Sequence, residues 1–197
     1  MACCDMTRSG NPPDAALLHE TAVSHLARYP TTRAGLQRVL FRRIARWARG
    51  AEGDADAIAA SAVAARSAAR AVVERLVAAG AVDDAAFAVA RARRLARSGT
   101  SRRGIAAHLI RRGLAGPVLA AALPQDPAVE LTAALTLARK RRIGPFRSGP
   151  LADAAARRRE LGALARAGFP GGVARAALAM SRAEAEERLA VARQSPG

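Results

Sequence analysis

Between Val72 and Leu123 the chain reads VVERLVAAGAVDDAAFAVARARRLARSGTSRRGIAAHLIRRGLAGPVLAAAL, and the punctuation of this stretch restricts the fold more than any other feature. Val72, Val73, Leu76 and Val77 recur at helical spacing and form an apolar stripe. Gly80 follows the last of them, where a helix closes through a left-handed residue that glycine adopts without steric cost. Asp83 and Asp84 then offer side-chain oxygens to the orphan N–H groups of a new helix. That helix carries Phe87, Val89, Ala90 and Leu95 and runs out at Ser98-Gly99. Thr100 or Ser101 caps the next, with Ile105, Leu109 and Ile110 on its buried side, and Gly113 ends it. Gly116-Pro117 opens a short third helix, with proline where its missing N–H goes unused. Isolated helices shorter than roughly 12–15 residues barely form in water, so these three must stack. The stretch is a three-helix module.

The rest of the chain agrees with helices. Of 197 residues, 51% are hydrophobic, with alanine dominant and aromatics at 3%, which favours all-α structure with close helix approach over any sheet. No run of about 18 apolar residues is present to span a membrane, and Met1–Pro13 lacks the apolar core of a signal peptide. A soluble, cytoplasmic, monomeric protein is expected. Cys3 and Cys4 have no Cys or clustered His partners for a zinc site, and read as incidental reduced thiols.

The formal charge is +16, carried by arginine apart from the single Lys140. A coding bias toward arginine and alanine could spread such charge over solvated faces, but the distribution is uneven. No acid occurs between Asp84 and Asp126, a stretch that holds Arg91, Arg93, Arg94, Arg97, Arg102, Arg103, Arg111 and Arg112. A single-sign surface of that length favours an anionic partner. The Arg139-Lys140-Arg141 run and the Arg157-Arg158 pair extend the expected basic face.

Upstream, Asp14 can cap a helix carrying Leu17, Leu18, Val23 and Leu26 that stops at Tyr29-Pro30. Thr31 or Thr32 caps a second, with Leu36, Val39, Leu40, Ile44 and Trp47. A polar, acid-bearing break at 50–56 precedes the alanine-rich helix that ends in the Val72 stripe, and helps make this the least basic part of the chain. Downstream, Asp126-Pro127 starts a helix with Val129, Leu131, Leu135 and Leu137. A loop tucked down by Phe146 follows, then a helix capped by Asp153, and then Gly168. A short helix opens at Gly171-Gly172, and Ser181-Arg-Ala-Glu184 is a capping box for a terminal helix.

Gly113 and Gly168 lie 55 residues apart, and the same offset pairs Arg102 with Arg157, Leu109 with Leu164, Leu114 with Phe169, Val118 with Val173 and Leu123 with Leu178. The first copy matches through Arg33, Leu36 and Leu40. The predicted organisation is a disordered tail over 1–13, a first repeat over 14–80 with an insertion near 49–66, and a second over 81–124. A third repeat covers 125–180, and a capping helix and tail complete the chain over 181–197. Three tandem three-helix, helix-turn-helix-like repeats stacked in this way predict an elongated, curved, solenoid-like body.

Gly80-Ala-Val-Asp83-Asp84-Ala-Ala-Phe87-Ala88, Ser101-Arg-Arg-Gly-Ile105, Leu109-Ile-Arg-Arg-Gly113 and Arg166-Ala-Gly168-Phe169 resemble the signature of the RecX family, bacterial modulators of the recombinase RecA. The Leu137–Arg147 run and Tyr29-Pro30-Thr-Thr-Arg33 resemble its alphaproteobacterial branch. The resemblance covers roughly residues 15–180. It implies three three-helix repeats, no catalysis and no cofactor. It also implies binding in the helical groove of the RecA–single-stranded DNA filament, with inhibition of ATPase, strand exchange and coprotease activity. Ala167 stands where the family's third repeat has a second arginine.

No catalytic constellation competes with this reading. His19, His25 and His108 are scattered, and Asp83-Asp84 is explained by helix capping rather than by a metal. The expected partner surface is Arg91, Arg94, Arg97, Arg102, Arg103, Arg111, Arg112, Arg139, Lys140, Arg141, Arg157 and Arg158, with weak direct contact to DNA as an accessory. Gly80, Asp83, Asp84, Phe87, Gly113, Gly168 and Phe169 are expected to hold the scaffold. The rival reading is a basic helix-turn-helix-like DNA-binding protein that acts without RecA, its helix over 101–112 entering a groove.

Overall fold

A computed structural model describes residues 10–150 and 153–194. Cys3, Cys4 and the first nine residues of the expected tail lie outside the described residues, whereas Pro13, at its end, is buried. Among the described residues every regular element is helical: α1 Ala15–Leu26, α2 Arg33–Gly50, α3 Ala55–Ala78, α4 Asp84–Arg97, α5 Arg102–Arg111, α6 Gly116–Ala122, α7 Pro127–Arg141, α8 Ala154–Arg166, α9 Gly171–Ala179 and α10 Arg182–Gln194, with a 3-10 turn at Gly144–Phe146. Two compact units divide after Phe87.

The first unit is a bundle of α1, α2 and α3. Leu36, Leu40 and Ile44 recur every four residues on α2 and are fully buried against Leu18 and Ala22 of α1 and Ala62, Ala65, Ala69, Val72 and Val73 of α3. Burying each of these large side chains contributes roughly 1.5–3 kcal/mol. The alanines let α3 approach its neighbours closely. Asp14, Thr32 and Asp54 each accept the N–H three residues on, so all three helices start on a side-chain cap. The alanine-rich segment is one continuous helix of 24 residues, Ala55–Ala78.

In the second unit α5 packs on α6, and α7 packs on α8, α9 and α10. Ala133, Ala134, Leu135 and Ala138 of α7 form a core with Leu164, Phe169, Ala174, Ala177, Leu178, Ala185 and Leu189. Phe146 holds the 3-10 turn against it, as expected. α6 and α9 open at Gly116 and Gly171, again 55 residues apart, and the offset partners Leu109 and Leu164, Leu114 and Phe169, and Leu123 and Leu178 are buried in pairs.

Helix ends repeat one geometry. Ala81 N–H bonds Leu76 O and Gly80 N–H bonds Val77 O, closing α3 with Gly80 at φ 70°. Equivalent bond pairs close α4 at Gly99, α5 at Gly113 and α8 at Gly168. At Gly168 a side chain would also collide with Ser101 Oγ, at 2.7 Å from the Cβ position.

Four expectations need correction. Val23 and Ile110 are exposed because they lie beside the narrow buried stripes Leu18/Ala22 and Ile105/Leu109, and Val129 is exposed in the first turn of α7, ahead of its widely buried run over 133–136. Asp84 does not cap its own helix. Asp83 does so, accepting from Ala86 N–H at 2.9 Å. Asp84 already occupies the first helical position, and its carboxylate accepts the N–H of Arg33 at the start of α2, at 2.8 Å.

Candidate functional site

The basic face is built on the helices of the acid-free run. α5 begins at Ser101, a buried hydroxyl that accepts Gly104 N–H at 3.1 Å and donates to Ala167 O at 2.6 Å. The next orphan donor, Arg102 N–H, goes to Glu130 Oε2 of α7 at 2.8 Å. Glu130 is 9% exposed. Burial pushes its carboxyl up from the usual carboxylate range, against the Arg102 N–H and the Arg102 charge, which favour the anion. These bonds fix the first turn of α5, from which Arg102 and Arg103 project.

Arg102 and Arg103 line an open groove of about 690 Å³ together with Phe169, Pro170, Val173, Asp126 and Glu130. Arg102 is partly held, its Nε donating to Pro124 O at 3.1 Å. Arg97, with Arg93, lines a larger and mostly apolar groove of about 1350 Å³ whose lining also includes Glu184, Glu187 and Val191 of α10. Arg91, Arg111 and Arg112 gather around His108, which accepts the Arg91 Nε–H at 3.0 Å. Burial, and then the charges of Arg91, Arg112 and Arg111, hold the His108 imidazole below its ordinary value, so it is neutral and able to accept that bond.

The expected arginines therefore differ in role. Arg94, Arg97, Arg103, Arg111, Arg139, Arg157 and Arg158 are exposed and form no ion pair among the described residues. Arg91 is half-buried under its bond to His108. Lys140 Nζ donates to Ser98 O at 2.7 Å and Arg141 Nη1 to Ala163 O at 3.2 Å, tying α7 to the end of α4 and to α8. Arg139 lies beside Phe146, Arg142 and α10, away from Arg102 and Arg103. Phe87 is half-buried, Phe169 is buried, and Gly80, Gly113 and Gly168 have positive φ at helix ends.

Two features escaped the sequence reading. Glu130 lies in the first turn of its own helix with no local signal of a distant partner, and only the fold brings it to α5. In the first unit, Arg38, Arg42, Arg66 and Arg70 line a cleft of their own. Their i, i+4 spacing was the available signal. Among the described residues, no group of three or more His, Cys, Asp or Glu side chains is arranged to hold a metal, and no helix is long and apolar enough to cross a membrane.

The stretch that supplies α4, α5 and α6, residues 83–123, matches the family model described as RecX, second three-helix domain. The chain is 38% identical over 163 residues to the Regulatory protein RecX of Myxococcus xanthus (strain DK1622), covering 80% of this chain and 82% of that protein. It is also 38% identical over 109 residues to the Regulatory protein RecX of Agrobacterium fabrum (strain C58 / ATCC 33970), covering 55% of this chain and 58% of that one. Equal identity to both assigns the family rather than a branch within it. An all-helical chain, a matching second module and relatives aligned along most of its length lead to one conclusion: the chain belongs to the RecX family of regulatory proteins.

Proposed function

We propose that the chain is a cytoplasmic regulator of RecA that docks as a monomer in the helical groove of the RecA–single-stranded DNA filament, opposing ATP hydrolysis, strand exchange and coprotease activity. Family membership supports the regulatory part of this reading. The observation that carries the docking part is the run from Ala85 to Gln125, which contains no acid and presents Arg94, Arg97, Arg103 and Arg111 to solvent. Guanidinium forks suit the carboxylates of a protein groove and nearby phosphates alike. Contacts spread over several helices, each weak alone, act together when they engage one filament. Regulation is then mechanical: the bound chain staples neighbouring protomers and opposes their conformational cycle.

The test is RecA-catalysed, single-stranded-DNA-dependent ATP hydrolysis with increasing amounts of the chain. Hydrolysis falls as the chain is added, and the double variant Arg103→Glu/Arg111→Glu needs at least roughly tenfold more protein for the same effect, with its melting temperature unchanged. Undiminished hydrolysis at saturating chain rejects RecA as the partner. Full potency of the variant moves the contact to another face.

A further inference from the structure

The first unit, which holds the acid-bearing break at 50–56, also contains a concentrated positive cleft. α2 carries Arg33, Arg38, Arg42, Arg43, Arg46 and Arg49 and no acid. Arg38, Phe41, Arg42 and Ala45 share one face at i, i+3, i+4 and i+7, and with Arg66 and Arg70 of α3 they line a shallow cleft of about 480 Å³. The two helices run antiparallel, since Arg33 at the start of α2 pairs with Glu74 near the end of α3 at 2.5 Å. That pair neutralises the acid nearest to Arg70 along α3. No carboxylate is among the residues lining the cleft.

The Arg70 guanidinium sits on the cleft's aromatic ring. Arg70 Cζ lies 5.6 Å from the centroid of the Phe41 ring, a cation–π contact that holds its charge beside the ring. The same contact occupies one face of the ring. On each wall the arginines are four residues apart, about 6 Å along a helix axis, so the cleft presents two facing rows of charge. Like charges packed in this way repel and gather counter-ions, and a linear polyanion that replaces those ions releases them. Phosphate matches the planar guanidinium fork. Beyond its arginines the lining offers only Phe41 and Ala45, with no side chain to hydrogen-bond a base edge. A cleft this small suits one strand rather than a duplex.

From this geometry we infer that the α2–α3 cleft binds the phosphodiester backbone of a single nucleic-acid strand without reading its bases. The inference does not rest on docking to RecA, and the test contains no RecA, so either can fail alone. Full-length chain is titrated into fluorescently labelled oligodeoxythymidylate, and separately into an abasic oligomer of the same length, with anisotropy as the readout. Both bind within about twofold of each other, and affinity falls with salt by roughly 0.7 logarithmic units per unit of log salt for each phosphate engaged. The double variant Arg66→Glu/Arg70→Glu loses at least roughly tenfold. Arg103→Glu/Arg111→Glu, an equal change in net charge outside the cleft, loses less. Circular dichroism confirms folding, and Arg66→Gln/Arg70→Gln replaces the reversal if that variant does not fold. Equal losses in the two double variants, or failure of the abasic oligomer to bind, overturn the proposal. So does tighter binding of duplex than of single strand. Tripolyphosphate binding that depends on Arg66 and Arg70, without oligomer binding that does, would make a free phosphate compound the occupant and reject the strand.

Discussion

Arg142 is the one non-glycine residue with positive φ among those described, at 54°, and it closes α7 with the same pair of bonds that glycine makes at four other helix ends. A left-handed arginine carries a steric cost that glycine avoids. Arg142→Gly is therefore expected to stabilise the chain by about 0.5–1 kcal/mol, after allowing for the freer unfolded chain, and denaturant midpoints will show it. The sequence hid this closure, because an arginine following Arg139-Lys140-Arg141 looks like more of a charge run. It displayed Gly80, Gly113 and Gly168 openly, since glycine announces a left-handed position. His108 makes a second residue-scale prediction. Its folded pKa lies below the ordinary 6.5, so on acidification the unfolded chain takes up the proton first. Its contribution to stability is complete above 6.5 and is lost as the pH falls from there through the folded value. The imidazole proton resonances should titrate below 6.5, and His108→Gln should flatten the slope of stability against pH over that interval.

At the scale of elements, the second helix of the first bundle and α5 begin with the same device. Thr32 and Ser101 are both buried, at 1% exposure, and each accepts the N–H of a glycine three residues on, Gly35 or Gly104. The first N–H of each helix then goes to an acid in the first turn of a later helix, Arg33 to Asp84 and Arg102 to Glu130, both at 2.8 Å. Ser101→Ala removes a cap and leaves Ala167 O without its donor, for an expected loss of about 2 kcal/mol measured by chemical unfolding. Ser101→Thr should recover part of it. The equivalence was written in the sequence as Thr31-Thr32-Arg33-Ala34-Gly35-Leu36 and Thr100-Ser101-Arg102-Arg103-Gly104-Ile105, 69 residues apart. Aligning repeats on their glycine stops obscured it, because α3 has 24 residues where α6 has 7. Between the second and third modules the stops keep their spacing, and the 55-residue offset was legible down to paired core positions. Caps at Asp14, Asp83, Asp126 and Asp153 were readable because each acts within its own turn. Asp84 and Glu130 were not, because their partners lie 51 and 28 residues away.

For the molecule as a whole the dominant quantity is its charge of +16, opposed by only three ion pairs among the described residues. Self-repulsion of this kind is screened within about 10 Å at 0.1 M salt. The melting temperature is therefore expected to rise by about 2–4 °C, or roughly 1 kcal/mol, between low and moderate ionic strength. Differential scanning calorimetry checks this, and a flat or falling temperature would show that the charges are already compensated. Composition predicted the sign of the surface but not which cations remain available. Arg94 and Lys140 are equally basic in sequence, yet one is exposed without an ion pair and the other is bonded to Ser98 O. The capping device spans 51 residues in one unit and 28 in the other with the same bonds, so it accommodates segments of different length between its anchors. By its residue count α3 is about 36 Å long against about 10 Å for α6. Whole turns gained or lost there would change the length of track available to a ligand while the knots at either end stay tied, giving related chains a way to adjust their grip without redesigning the fold.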